Sequence, residues 1–246
     1  MNIETQLDIP FFIEEGPADW FQSPSALHHC QFNLRLYDDV YFEHCVIEFP
    51  DTIRKAVPKR RAEFLAGRFC ARRALEAIMH MPPQIPIGRD RNPVWPDSVK
   101  GSISHSNTNA VAVVTDSSAI CGIGIDIENR ISDTTISNLR AQIVLPDELK
   151  LFINSKLSDT VIFTIIFSVK ESFFKAAYPI VKKYFDFDAI SVLRIDIRKR
   201  DILFRINYNL HTSLQRGMLF RGELHMMADG SLATLVTLPR QSLSSS

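Results

Sequence analysis

The sequence predicts an α+β chain built from two similar halves, and three observations carry this. Each half holds one helix with a charged signature, near Arg60–Met79 and Val161–Ala176. Each half also holds β segments, and a short polar hinge, Asp116 to Ser118, separates them. The division that follows is residues 1–117, residues 118–240 and a disordered tail over 241–246.

Composition fits either one large domain or two of about half the length, each able to bury a core. Hydrophobic residues make up 46% and charged residues 23%, the mixture of an ordinary soluble globular protein. The formal net charge is +0, so nothing global points to nucleic acid or a membrane surface. Cys30, Cys45, Cys70 and Cys121 form no C-x-x-C pair, and free thiols in a reducing compartment are expected. Met1 to Pro10 lacks a basic start and an apolar run, and no stretch is long and apolar enough to span a membrane. The expectation is a cytoplasmic protein.

In chain order, residues 1–30 read as irregular, with aromatic pairs set between prolines. His28-His29-Cys30 is no metal motif, because adjacent side chains rarely converge on one ion. Phe32–Tyr41 and Tyr41–Phe49 alternate loosely and read as two strands. Pro58 introduces a helix over Arg60–Met79, ended by Pro82-Pro83. Phe64, Ala71, Leu75 and Ile78 make its buried stripe, and Arg68 occupies a step of that stripe. A guanidinium aimed inward needs an anion, since its charge cannot titrate away. An edge position with the charge led out to water, or an internal ion pair, would also serve.

A basic, proline-punctuated segment follows through Arg89 and Asn92-Pro93, then Gly101-Ser102-Ile103-Ser104-His105-Ser106, then the buried strand Ala110–Thr115. The hydroxyls around His105 suit phosphate oxygens, or simply a polar turn. Beyond the hinge comes Cys121–Glu128. A two-residue period puts Ile123, Ile125 and Ile127 on one face and Gly124, Asp126 and Glu128 on the other. Two carboxylates so close need a cation, a proton or an arginine between them. The glycine beside them leaves room for a ligand to approach.

Asn129–Thr135 is turn-like, Pro146-Asp147-Glu148 starts a helix, and Ser158-Asp159 starts a longer one that ends before Pro179. Glu171 and Lys175 lie one turn apart on one face of it. The last third reads as strands Ala189–Ile197, Ile202–Tyr208, Met218–Met227 and Ser231–Leu238, with Asp229-Gly230 turning the final hairpin.

Taken together, Phe64-Leu65-Ala66-Gly67-Arg68, Gly101–Ser106, Gly124-Ile125-Asp126-Ile127-Glu128 and Phe167–Ala176 resemble the 4′-phosphopantetheinyl transferases of the surfactin and enterobactin-synthase type. The resemblance covers roughly residues 55–240. It implies two similar α+β halves in a pseudo-twofold arrangement with a ligand cleft between them. It also implies transfer of the phosphopantetheine arm of coenzyme A to a carrier-protein serine, with release of 3′,5′-adenosine bisphosphate. By position, Asp126, Glu128 and Glu171 match the metal-site acids, and Lys175 the lysine at the coenzyme phosphates. His105 and Ser104 match the phosphate-contacting pair, Arg68 the arginine at the adenosine phosphate end, and Arg89 a further basic contact.

The unaided chemistry agrees with this. Attack of a serine hydroxyl on a diphosphate needs charge neutralisation and in-line placement above all. Mg²⁺ takes a few carboxylates plus phosphate oxygens, and Mn²⁺ accepts the same donors. A carboxylate beside that ion can accept the serine proton, and Glu171 is the expected base, with His105 or a water as alternatives. The implied partners are coenzyme A and acidic apo carrier proteins or carrier domains, steered by Lys182-Lys183 or Arg72-Arg73. Fatty acid, polyketide and nonribosomal peptide (siderophore) carriers stay open. The length and the F-L-A-G-R element favour the monomeric type. Competing hypotheses are a metal-dependent nuclease or phosphohydrolase, and a module that binds coenzyme A without catalysis.

Overall fold

The computed structural model of the chain describes residues 9–23, 25–153 and 155–240. The opening residues 1–8 and the tail 241–246, expected to be disordered, lie outside the described residues. The first half runs β1 (Phe12–Pro17), β2 (Ala26–Phe32), two short helices α1 (Tyr41–His44) and α2 (Asp51–Arg54), the long α3 (Pro58–Glu76), β3 (Lys100–His105) and β4 (Asn109–Thr115). Its strands form an antiparallel sheet in the order β1-β2-β4-β3. The second half runs β5 (Ile120–Glu128), α4 (Asp133–Ile143), α5 (Leu149–Ile153), the long α6 (Asp159–Val181), then β6 (Ile190–Asp196), β7 (Asp201–Ile206), β8 (Leu219–Met226) and β9 (Leu232–Pro239). Its sheet order is β5-β9-β8-β7-β6. The fold is α+β, and each half lays one long helix over one antiparallel sheet.

Alternation along the strands explains how the layers stack. Even-numbered positions of β2 and β4 (Cys30, Phe32, Ala110, Ala112, Val114) pack with Leu65, Phe69 and Leu75 of α3. Odd-numbered Leu27, Val111 and Val113 meet Ile123, Ile125 and Ile127 of β5 and Leu235 of β9 in a separate cluster between the sheets. Each of those isoleucines is nearly fully buried, and such burial stabilises by roughly 1.5–3 kcal/mol per side chain. A one-residue slip of β5 would forfeit all three and turn Asp126 into the core, so the register is firmly set.

Gly122 and Gly124 face the other way, onto α6. A Cβ on Gly124 would lie 2.0 Å from the Ser172 carbonyl oxygen, and one on Gly122 2.2 Å from that of Ala176. The missing side chain of Gly124 therefore admits the α6 backbone, and the ligand expected there gives way to a helix. This close seating carries Lys175 to the end of β5.

Several expectations from the sequence are corrected. Residues 12–17 and 26–30, expected to be irregular, lie in β1 and β2, which owe their state to pairing with each other and with β4, far along the chain. Phe32–Tyr41 and Tyr41–Phe49, expected as strands, hold a 3₁₀ turn at Leu34–Leu36 and the short α1. The Asn33 side chain caps Arg35 N and Asp38 caps Val40 N, local bonds that compete with a ladder. The helix expected to stop before Pro179 continues through it to Val181. In a last turn, proline removes a single bond, and Lys182 closes the helix at φ 52° with its N–H on the Tyr178 carbonyl. No helix among the described residues is long and apolar enough to cross a membrane.

Candidate active site at the junction of the sheets

Strands β3 and β5, the facing edges of the two sheets, are joined by side chains. Ser102 Oγ accepts from Ile125 N at 3.1 Å, and Ser104 Oγ accepts from Ile127 N at 3.3 Å. Two serines two residues apart thus satisfy the open N–H groups of an edge strand. The segment that read as either a phosphate cluster or a polar turn is a strand whose serines face the second half.

Asp126 stands at that seam, 3% exposed. Its Oδ1 accepts from Ser104 Oγ at 2.8 Å and from Lys175 Nζ at 2.7 Å. Lys175 Nζ also donates to Ser104 Oγ at 3.0 Å and to the Ile125 carbonyl at 3.1 Å. Lys175 belongs to α6, so one ammonium ties that helix to both halves. Oδ2 of Asp126 is buried without a hydrogen-bond partner among the described residues. A bare carboxylate oxygen in that position carries a desolvation penalty, and a cation would relieve it.

The other two acids share this environment. Burial, then the neighbouring charge of Asp126, pushes Glu128 up to about 8, with Lys175 opposing and Glu171 adding. Glu171 is also raised, by burial first and by Asp126, again opposed by Lys175. The three carboxyls therefore feel one another as like charges. No three His, Cys, Asp or Glu side chains among the described residues stand as a ready-made metal cluster. Lys175 occupies one oxygen of Asp126, and burial with the Asp126 charge favours the protonated form of Glu128. A divalent ion fits this donor set, since it would supply the orphaned oxygen with a partner and replace the proton on Glu128.

On the other side of Ser104 lies His105. Arg60 Nη1 donates to His105 Nε2 at 3.0 Å, and Glu63 Oε2 lies 3.9 Å from Nδ1. Burial and then the charges of Arg60 and Lys175 push His105 down to about 4, so the ring is neutral near pH 7. Arg68, buried at 8% exposure, donates Nε to the Ile85 carbonyl at 3.0 Å and lies over the Phe64 ring. No carboxylate among the described residues pairs with it, so the anion its position calls for is not supplied by these residues. Arg60, Arg68, Arg72 and Arg91 line one cavity of about 740 Å³.

Arg89 is exposed and lines neither this cavity nor its neighbour. Arg91 lines both; its φ of 62° in the Gly88–Asn92 turn aims it where simple spacing along the loop does not. The neighbouring cavity, about 500 Å³, runs beside Lys175 and is walled by Trp95, Phe174, Tyr178 and Tyr184. Sequence reasoning missed Glu63, Ser102 and Arg91 as site residues. For Ser102 the signal was present, since it shares strand parity with Ser104.

Comparison with known proteins places two family models on the chain. The model of the 4′-phosphopantetheinyl transferase N-terminal domain matches residues 49–115, and that of the 4′-phosphopantetheinyl transferase superfamily matches residues 122–223. Enterobactin synthase component D of Salmonella typhi is 38% identical over 139 residues, 55% of this chain and 57% of that protein. The protein of the same name from Escherichia coli strain K12 is 41% identical over 126 residues, 51% and 58% of the two chains. The 4′-phosphopantetheinyl transferase PptT of Mycobacterium tuberculosis is 33% identical over 136 residues, 55% and 59%. The match spans a little over half the length of these relatives.

Proposed function

Because this chain belongs to the 4′-phosphopantetheinyl transferase superfamily, we propose that it moves the 4′-phosphopantetheine arm of coenzyme A onto a serine of an apo carrier protein. The observation that carries this is Asp126: a buried carboxylate with one bare oxygen, near one lysine and two acids that burial raises, beside a cavity lined by arginines.

Asp126, Glu128 and Glu171 would hold the Mg²⁺ or Mn²⁺. When bound, that ion neutralises charge on the coenzyme's diphosphate. The arginine cavity suits the adenosine 3′-phosphate end, with Arg68 as its buried anchor and Arg60, Arg72 and Arg91 around it; Arg89 would reach only from outside. Ser104 and His105 lie between this cavity and Asp126, where they would hold phosphate oxygens. The aromatic cavity beside Lys175 suits the uncharged pantetheine arm.

In the transfer, the carrier serine oxygen attacks the β-phosphorus and the bond from that phosphorus to the bridging oxygen breaks. The bisphosphate leaves with the electron pair, and the serine proton passes to Glu171. Burial raises the Glu171 carboxyl, which makes its carboxylate a stronger base for that proton. Lys175 faces the growing negative charge on the leaving group.

Incubating the protein with an apo carrier, coenzyme A and Mg²⁺, followed by mass spectrometry of the carrier, tests the proposal. The expected result is a gain of one phosphopantetheine arm together with release of 3′,5′-adenosine bisphosphate. No gain with carriers of fatty acid, polyketide and nonribosomal peptide type, alongside cleavage of a phosphodiester, would favour a nuclease or phosphohydrolase.

A further inference from the structure

Glu63 carries a buried carboxylate that the transfer chemistry above does not use. It projects from α3, which also supplies Arg60 and Arg68, and is 9% exposed. Its Oε2 lies 3.9 Å from His105 Nδ1 and its Oε1 3.7 Å from Lys59 Nζ, the second contact half out in solvent. Arginine can only donate, so the 3.0 Å contact from Arg60 Nη1 makes His105 Nε2 an acceptor. The single hydrogen of the neutral ring is then on Nδ1, turned to Glu63.

That tautomer cannot donate from Nε2 to a phosphate oxygen. Arg60 lines the arginine cavity, and an anion entering there gives it a stronger partner than an imidazole nitrogen. Nε2, once released, must gain a proton from solvent to face the same anion. The charges acting on the ring are Arg60 and Lys59 from α3, Lys175 from α6 and Asp126 from β5, and the Glu63 carboxylate of α3 lies 3.9 Å from Nδ1. Three are cations that oppose a positive ring. Asp126 is held by Lys175, which leaves Glu63 as the carboxylate next to Nδ1.

We infer that Glu63 is a positioning residue for His105: it faces the Nδ1 hydrogen and stabilises the imidazolium formed when Nε2 is protonated to donate to an anionic ligand. This rests on the coenzyme A reading of the site. It adds a proton-linked step to recognition of the phosphate end, and it gives the buried acid of α3 a role among that helix's arginines.

The test is calorimetric binding of 3′,5′-adenosine bisphosphate at pH 7 in buffers of different ionisation enthalpy, with the parent protein, His105→Asn and Glu63→Gln. The parent should take up more protons than His105→Asn, by a fraction approaching one. Glu63→Gln should lose most of that difference and bind about three- to tenfold more weakly. Glu63→Asp should recover part of both. Proton uptake by Glu63→Gln equal to the parent's, or by the parent no greater than by His105→Asn, overturns the inference while leaving coenzyme binding intact. Absence of binding by the parent counts against the coenzyme reading itself. Nitrogen NMR of His105 in the parent protein needs no variant. It should show one protonated nitrogen, Nδ1, in the free protein and two in the complex; a ring still neutral in the complex also overturns the inference.

Discussion

Asp126 is the residue on which the site turns, because its two oxygens are treated so differently. One receives two hydrogen bonds and the other none, in a place where an unpaired polar atom is destabilising. Asp126→Ala and Glu171→Ala should each lower carrier modification by at least about a thousandfold, with circular dichroism unchanged. Full turnover by either variant would remove the metal assignment. Lys175→Met, which takes away the ammonium facing the leaving group, should slow turnover by about a hundred- to a thousandfold; a rate within a few-fold of the parent's would count against that role. Asp126, Glu128 and Arg68 were legible in the sequence because strand parity and the helical stripe fix which way they point. Glu63 and Arg91 were not. Residues 62–71 of α3 are buried all round, so a stripe could not single out Glu63, and Arg91 owes its direction to a left-handed turn.

At the level of elements, α6 is held by a buried ion pair next to the candidate base. Lys170 Nζ lies 2.9 Å from Glu148 Oε2 and 2.7 Å from the Ile143 carbonyl, while Glu148 accepts from Leu145 N and Val192 N. Four segments meet there, and the contacts to Ile143, Glu148 and Val192 are out of solvent. Removing one partner strands a charge, so Lys170→Met should destabilise the protein by about 3–5 kcal/mol in urea unfolding, and adding Glu148→Leu should restore part of it. A double variant no more stable than the single would refute this account of the pair.

The carrier-steering expectation also belongs to elements. Arg72 and Arg73 are engaged by Glu76, whereas Lys182 and Lys183, just past α6, are exposed. Reversing both lysines to glutamate should slow carrier association at low salt, and an unchanged rate would exclude that face. The long helices, β4, β5 and the four C-terminal strands could be located from periodicity and turn signals. Strands β1 and β2 could not, since their partners are remote in sequence and prolines flank them. The stretch 32–49 alternated like a strand but had Asn33 and Asp38 to cap turns instead.

Over the whole molecule, two sets of groups set the pH dependence of stability. His28, His29, His105 and His225 are each held below the ordinary histidine value by burial, so the unfolded chain binds their protons first. Their contribution is present above about 6.5 and is lost as pH falls below it. Glu128 and Glu171 are raised, so the folded protein binds more protons above the ordinary glutamate value. Stability is lost as pH rises, for Glu128 through about 8. In the ligand-free protein Tm should therefore fall between pH 6.5 and 8. The increase in Tm on adding Mg²⁺ should grow over the same interval, because the ion no longer competes with the Glu128 proton. A Mg²⁺ effect independent of pH would contradict this.

The seam between the sheets was only half readable in the sequence: residue types announced the chemistry, but edge-to-edge contact through Ser102 and Ser104 is a property of the assembled fold. The most direct measurement is the anomalous difference map of crystals grown with Mn²⁺ and coenzyme A. One peak ligated by Asp126, Glu128 and Glu171 and by the coenzyme's diphosphate is the predicted result. A peak elsewhere, or one at Asp126 with Glu171 out of reach, would contradict it.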